Sequence, residues 1–211
     1  MTGDAILLGA GGHARVVRAL AEALGWWIIG VCDPALAAGA YWEGLLVLGG
    51  DEALDGRNPG QMALLNGLGK MPGQSARHRV QQVHAARGFA FPALVHPAAW
   101  VAPDARLGAG VQVMAGAVVQ PGCTLGPGCI VNTRAGLDHD ATLGADVHLA
   151  PGVTVCGGVH VGDGAFIGAG ATVIQGCRIG AGAMVAAGSV VAADLPPGAR
   201  HPRAGHERTA I

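Results

Sequence analysis

The sequence predicts an α/β domain with a parallel sheet over residues 1–95, a parallel β-helix over residues 96–195 and a polar tail over residues 196–211. Two observations carry this reading. From His96 the chain repeats every six residues through sixteen units without a slip. Before His96, an apolar strand, a glycine-rich turn, a helical stretch and a second apolar strand follow one another in the order of a β–α–β unit. Composition agrees with a folded chain: 51% of residues are hydrophobic and 13% charged, so the 37 glycines do not signal disorder.

In the first segment Ala5 to Leu8 reads as a strand, His13 to Leu24 as a helix and Trp27 to Cys32 as a second strand. A third apolar run, Met62 to Leu65, precedes a helix over Gln74 to Arg87, and Phe89 to Val95 leads into the repeat. The turn Gly9-Ala10-Gly11-Gly12-His13-Ala14 follows a strand and opens a helix, the arrangement that lets a backbone approach a pyrophosphate at a helix N-terminus. Asp33, at the end of the second strand, is of the type that hydrogen-bonds a ribose or a base. About 95 residues form only half of a dinucleotide fold, a Rossmann-like half domain, and a single nucleoside diphosphate fits it better than NAD.

In the repeat, the sixth place of all sixteen units is Val, Leu or Ile, and the fourth is Ala, Val, Cys or Ser. One large and one small inward side chain per unit suit a narrow stacked prism, and six-residue units that cannot bury their apolar face alone must stack. Three faces make a coil of 18 residues. From Gly108 onward the third place is Gly in eleven of fourteen units, as a tight corner with unusual backbone angles requires. The three exceptions, Arg134, Asp140 and Asp146, are consecutive and define one coil, residues 132–149, which also carries Asn132, Asp138, His139 and His148.

His139 occupies an outward corner between two carboxylates. Asp140 beside an imidazole fixes its tautomer and makes it a better proton acceptor, which suits a general base near neutral pH. The competing reading is a solvated His between two surface acids, but the broken glycine pattern favours the functional one. Gly157 lies 18 residues later, so its N–H is expected at the same corner one coil on, placed to stabilise a developing oxyanion. His148 takes an outward fifth place. A metal site built from His139, Asp140 and His148 lacks a third tight ligand, so no metal is expected.

Cys123, Cys129 and Cys177 fill small fourth places and read as packing residues, and no pair among the five cysteines has disulfide or metal spacing, which fits a reducing compartment. A net charge of −1 offers no footprint for nucleic acid. The uncharged run between Arg106 and Arg134 is interrupted by Gly, Pro, Gln, Thr and Asn, so it is not a membrane helix. The start, Met-Thr-Gly-Asp, has no basic and apolar leader pattern, and a cytoplasmic protein is expected. After Val191 the polar segment with Arg200, His201, Arg203, His206 and Arg208 reads as a frayed terminus.

With GAGGHARVV, VCDP, VHPAAWVAP, VNTRAGLDHD and VCGGVHVGDGAFIGAGATV in place, the chain resembles the hexapeptide-repeat nucleotide-sugar N-acetyltransferases, relatives of the sialic acid O-acetyltransferases. The resemblance implies a left-handed β-helix, acetyl-CoA as cosubstrate, a UDP- or GDP-linked 4-amino-4,6-dideoxy sugar as acceptor, and a homotrimer with sites between subunits. It assigns His139 as general base, Asp140 as the residue that raises its basicity, and Gly11, Gly12, His13, Asp33 and Asn132 to the nucleotide sugar. His148, Gly157, Ala169 and Ala187 fall on acetyl-CoA contacts. Two departures stand out: Asp140 where relatives often have Glu, and His201-Pro202-Arg203-Ala204-Gly205 in place of a Gly-x-Pro-Ala-Lys ending, leaving Arg200 or Arg203 for a CoA phosphate. The rival readings are O-acetylation of a sialic-acid-type sugar, and a non-catalytic nucleotide-binding scaffold.

Overall fold

The computed structural model describes residues 3–202, which form two compact units divided after Pro97. In the first unit a five-stranded sheet runs β3-β4-β2-β1-β5, with β1 (Asp4–Leu8), β2 (Trp27–Cys32), β3 (Tyr41–Trp42), β4 (Leu45–Gly49) and β5 (Ala63–Asn66). Pairing is parallel throughout except for the β3–β4 hairpin at the edge. Central β1 is buried from Ala5 to Leu8, as expected for a parallel strand covered on both faces. Helix α1 (Gly12–Ala23) turns Ala14, Val17, Leu20 and Ala21 inward, and helix α2 (Ala76–Ala86) follows β5.

The hairpin is the element the sequence pattern did not predict. Trp42 faces Leu45 across a two-residue loop in which Glu43 (φ 49°) and Gly44 (φ 81°) both take left-handed angles. That is the primed turn a hairpin favours, written here as Glu-Gly instead of the usual Asn-Gly, and the strand before it is only two residues long.

The second unit is a parallel β-helix of two-residue strands in which residue n pairs with n+18: Thr124, Thr142, His160 and Arg178 lie in one column. From Val111 to Val191 every fourth and sixth place is buried, so one small and one aliphatic side chain per unit fill the prism. The third-place glycines adopt left-handed angles, for instance Gly170 at φ 66°, and this turns the chain by one face in a few residues.

The polar segment after Val191 is not frayed up to Pro202. Leu195 bridges Ile179, and Arg200–His201 pairs with Met184–Val185, closed by Ala186 N–H donating to His201 O at 2.9 Å. The open edge of the last coil supplies the partners, so coil pairing continues beyond the last regular hexapeptide. Arg203, His206 and Arg208 lie outside the described residues.

Replacing Gly170 by Ala isolates the corner constraint, because a methyl there meets nothing within 4 Å. Chemical denaturation is expected to show a loss of about 1–2 kcal/mol with an unchanged slope.

Candidate active site

The corner Asp138-His139-Asp140 links the column containing Gly136–Leu137 to the one containing Thr142–Leu143. Asp140 takes the corner's left-handed conformation at φ 58°, which Asp tolerates better than most side chains. Its Oδ2 lies 2.8 Å from His139 Nδ1, and the Asp138 carboxylate accepts the His139 backbone N–H at 2.8 Å. A carboxylate facing Nδ1 assigns the proton to that nitrogen and leaves the Nε2 lone pair outward. The His139 imidazole titrates above its ordinary value, first through the Asp140 hydrogen bond and second through the Asp138 charge.

Two glycines on neighbouring coils make room for this pair. The Asp140 carboxylate crosses Gly122, one coil back, where a methyl would collide with Oδ1. The imidazole lies over Gly157, one coil forward, where a methyl would sit 2.6 Å from Nε2. Gly157 has a second property: among the described residues its N–H meets no acceptor. The corner therefore combines an outward imidazole nitrogen with a free backbone donor beside it, a proton acceptor next to an anion-stabilising group.

The other two exceptions to the glycine rule also take left-handed angles, Arg134 at 57° and Asp146 at 53°. Asp146 is buried, its side chain lying across Gly128. His148 differs from expectation: it holds an outward fifth place, yet it is buried. Its ring meets Phe166 edge-on, one coil up in the same column, with centroids 5.1 Å apart, and its Nε2 lies 3.3 Å from Asn132 Nδ2. Asn132 Oδ1 accepts the Thr133 N–H at 2.8 Å. The structure thus groups Asn132 with His148. Counting in steps of 18, Ala169 and Ala187 share the corner of Thr133 and Pro151, whereas His139 shares its corner with Gly157.

In the first unit the glycine turn sits at the carboxyl ends of the parallel strands. Gly9 (φ 86°) donates its N–H to Cys32 O at 2.7 Å, and Asp33 accepts the Ala10 N–H at 2.8 Å and the Ala35 N–H at 2.9 Å. Asp33 therefore also closes the turn, a role its position did not reveal. A methyl at Gly11 or Gly12 meets nothing within 4 Å, so neither glycine is demanded by packing. The N-cap Gly11 offers no capping side chain and no acidic residue lies in the first turn of α1, which leaves its N-terminal end suited to an anion, with His13 in that turn.

Two family models match: the bacterial transferase hexapeptide (six repeats) over residues 104–139, 140–175 and 158–193, and the PglD N-terminal domain over residues 4–74. Among solved structures, the acetyltransferase domain of PglB from Neisseria gonorrhoeae FA1090, in complex with acetyl coenzyme A, is 37% identical with a TM-score of 0.87, covering 95% of this chain and 96% of that one. This chain belongs to the hexapeptide-repeat nucleotide-sugar N-acetyltransferases. A His-to-Asn variant of perosamine N-acetyltransferase from Caulobacter crescentus, in complex with CoA and GDP-perosamine, is 36% identical with a TM-score of 0.85 and covers 95% and 93% of the two chains. WeeI from Acinetobacter baumannii AYE, at 22% identity and TM-score 0.77, shares the fold. No curated protein matches the sequence.

The β-helix of this transferase is thus the left-handed form. The shorter Asp140 still reaches the imidazole. Cys123 and Cys177 titrate above the ordinary thiol value through burial, and Cys32 is pushed up to about 11 by the same cause, so none of the three is a nucleophile at neutral pH. Among the described residues no group of three His, Cys, Asp or Glu could hold a metal ion.

The shift of His139 has a direct test. A histidine side-chain NMR titration is expected to place its midpoint above the ordinary imidazole value of about 6.5. Asp140→Asn removes the first cause and moves the midpoint down.

Proposed function

We propose that the chain transfers the acetyl group of acetyl-CoA to the 4-amino group of a UDP- or GDP-linked 4-amino-4,6-dideoxy sugar, with His139 as general base. The observation that carries this reading is the His139–Asp140 pair lying over Gly157. Relatives solved with acetyl-CoA, and with CoA and GDP-perosamine, support the substrate classes.

In this mechanism the sugar amine attacks the thioester carbonyl carbon while His139 Nε2 takes one of its protons. The C–N bond forms, and the carbonyl oxygen becomes an oxyanion facing the Gly157 N–H. Collapse breaks the C–S bond, and the imidazolium returns the proton to the departing CoA thiolate. Asp140 stabilises the imidazolium, and Asp138 holds the backbone of the corner. Binding both substrates before reaction makes the attack effectively intramolecular. The glycine turn and α1 N-terminus bind the pyrophosphate and Asp33 the nucleoside.

Asn132, His148, Ala169 and Ala187, set away from the His139 corner, complete the site from a neighbouring subunit of a homotrimer. Supporting this is an uncharged outward column, Trp100, Val118, Gly136, Thr154, Thr172 and Val190, in which Trp100, Val118 and Val190 are exposed. A cytoplasmic location is part of this reading, supported by five free thiols, which suit a reducing compartment. Among the described residues no helix is long and apolar enough to cross a membrane.

A thiol-release assay with acetyl-CoA and a panel of UDP- and GDP-4-amino sugars tests the reading. CoA release is expected with a 4-amino sugar, and His139→Asn is expected to lower kcat by at least about 10²-fold while nucleotide-sugar binding persists. Gly157→Ala, which displaces the imidazole, is expected to lower kcat too. Full turnover in His139→Asn would remove the base assignment.

A further inference from the structure

We propose that Arg77 and Asn66 are positioning residues for the nucleotide: together they build the loop of residues 66–69, against which the glycine turn and His13 are set. This rests on the nucleotide reading of that turn. Arg77, at the start of α2, is 2% exposed, an unusual environment for a guanidinium. Its Nη1 donates to Asn66 O at 2.9 Å and to Leu68 O at 2.7 Å. Asn66, also 2% exposed, answers with Nδ2 donating to Arg77 O at 3.0 Å, while its Oδ1 accepts the Leu68 N–H at 3.2 Å. Four hydrogen bonds therefore fix a four-residue loop, and a buried guanidinium is tolerated because carbonyl oxygens receive it.

Each of the next three residues faces a different part of the nucleotide turn. Gly67 donates its N–H to Leu8 O at 2.8 Å, and a methyl there would approach Ala14 Cβ to 2.9 Å. The Leu68 side chain packs under Gly9, where a methyl would meet its Cδ1 at 3.0 Å. A methyl at Gly69 would come within 3.3 Å of His13 Cβ. These spacings leave the turn no slack toward the loop. A shift of the loop moves Gly9, Ala14 and His13 with it, and with them the N–H groups that would face the pyrophosphate. Nothing in the pattern of the helix expected over Gln74 to Arg87 distinguishes Arg77 from its polar neighbours.

Arg77→Lys keeps the charge but not the planar guanidinium, whose Nη1 serves both the Asn66 and the Leu68 carbonyl. Calorimetry with GDP and with UDP, using the full chain, is expected to show about tenfold weaker binding of whichever nucleotide the wild type takes. In steady state, KM for the nucleotide sugar rises by a similar factor, while KM for acetyl-CoA and kcat at saturation stay within about twofold, a split that loss of fold would not produce. Asn66→Ala gives the same selective effect and carries the test alone if Arg77→Lys does not fold. The double variant is expected to be no weaker than the weaker single one, because both act through one loop. Unchanged nucleotide affinity in both single variants, or equal losses for both substrates, overturns the proposal and leaves the nucleotide site standing. A wild type that binds neither GDP nor UDP overturns both.

Discussion

The left-handed corner at the third place of each hexapeptide from Gly108 onward is the constraint on which the regular β-helix depends. Only there does the chain turn by one face in so few residues that coils stack with an 18-residue period, and only that period aligns the small and aliphatic places into a filled prism. Glycine meets the requirement at lowest cost. Where the sequence departs from glycine at Arg134, Asp140 and Asp146, the backbone angle is kept and the cost is accepted. A rule kept in every other unit from Gly108 onward and broken in one coil marks that coil, and Asp140 is the exception whose side chain reaches the adjacent imidazole.

The same period explains how a reactive geometry arises on a regular scaffold. Residues 18 apart stack, so Gly122, Asp140 and the next coil's glycines are vertical neighbours, and a glycine at either side of the His139–Asp140 pair provides space that no local sequence feature announces. The imidazole is exposed, yet its basicity is raised first by the Asp140 carboxylate hydrogen-bonded to it at 2.8 Å and then by the Asp138 charge. A third carboxylate or a cysteine ligand would turn the corner toward metal binding. The composition of the corner, with one imidazole between two short acids, favours proton transfer instead.

Much of this was legible in the sequence because periodicity is a global signal that single substitutions do not blur. The sixteen-unit register, the shared corner of His139 and Gly157 and the strand-turn-helix opening all follow from it. What was not legible depends on contacts between residues far apart in the chain or on very short elements. The hairpin Tyr41 to Gly49 has one two-residue strand and a Glu-Gly turn, too little for a pattern. His148 alternates outward as predicted, but Phe166 stacked above it helps to bury it, which the alternation cannot express. Arg200–His201 pairs because the last coil leaves an open edge, not because its own residues favour a strand. Asp33 closing the turn and Arg77 holding the loop behind it are likewise tertiary facts.

The central claim is that the polar coil serves chemistry at some cost to the corner rule, and restoring the rule tests it most directly. In Asp140→Gly the corner regains the residue its backbone angle favours, and the imidazole loses its carboxylate. The account predicts stability equal to or above that of the wild type together with a fall of about tenfold or more in kcat/KM for acetyl transfer. Loss of stability with catalysis unchanged would contradict it, because Asp140 would then be serving the coil and not the base.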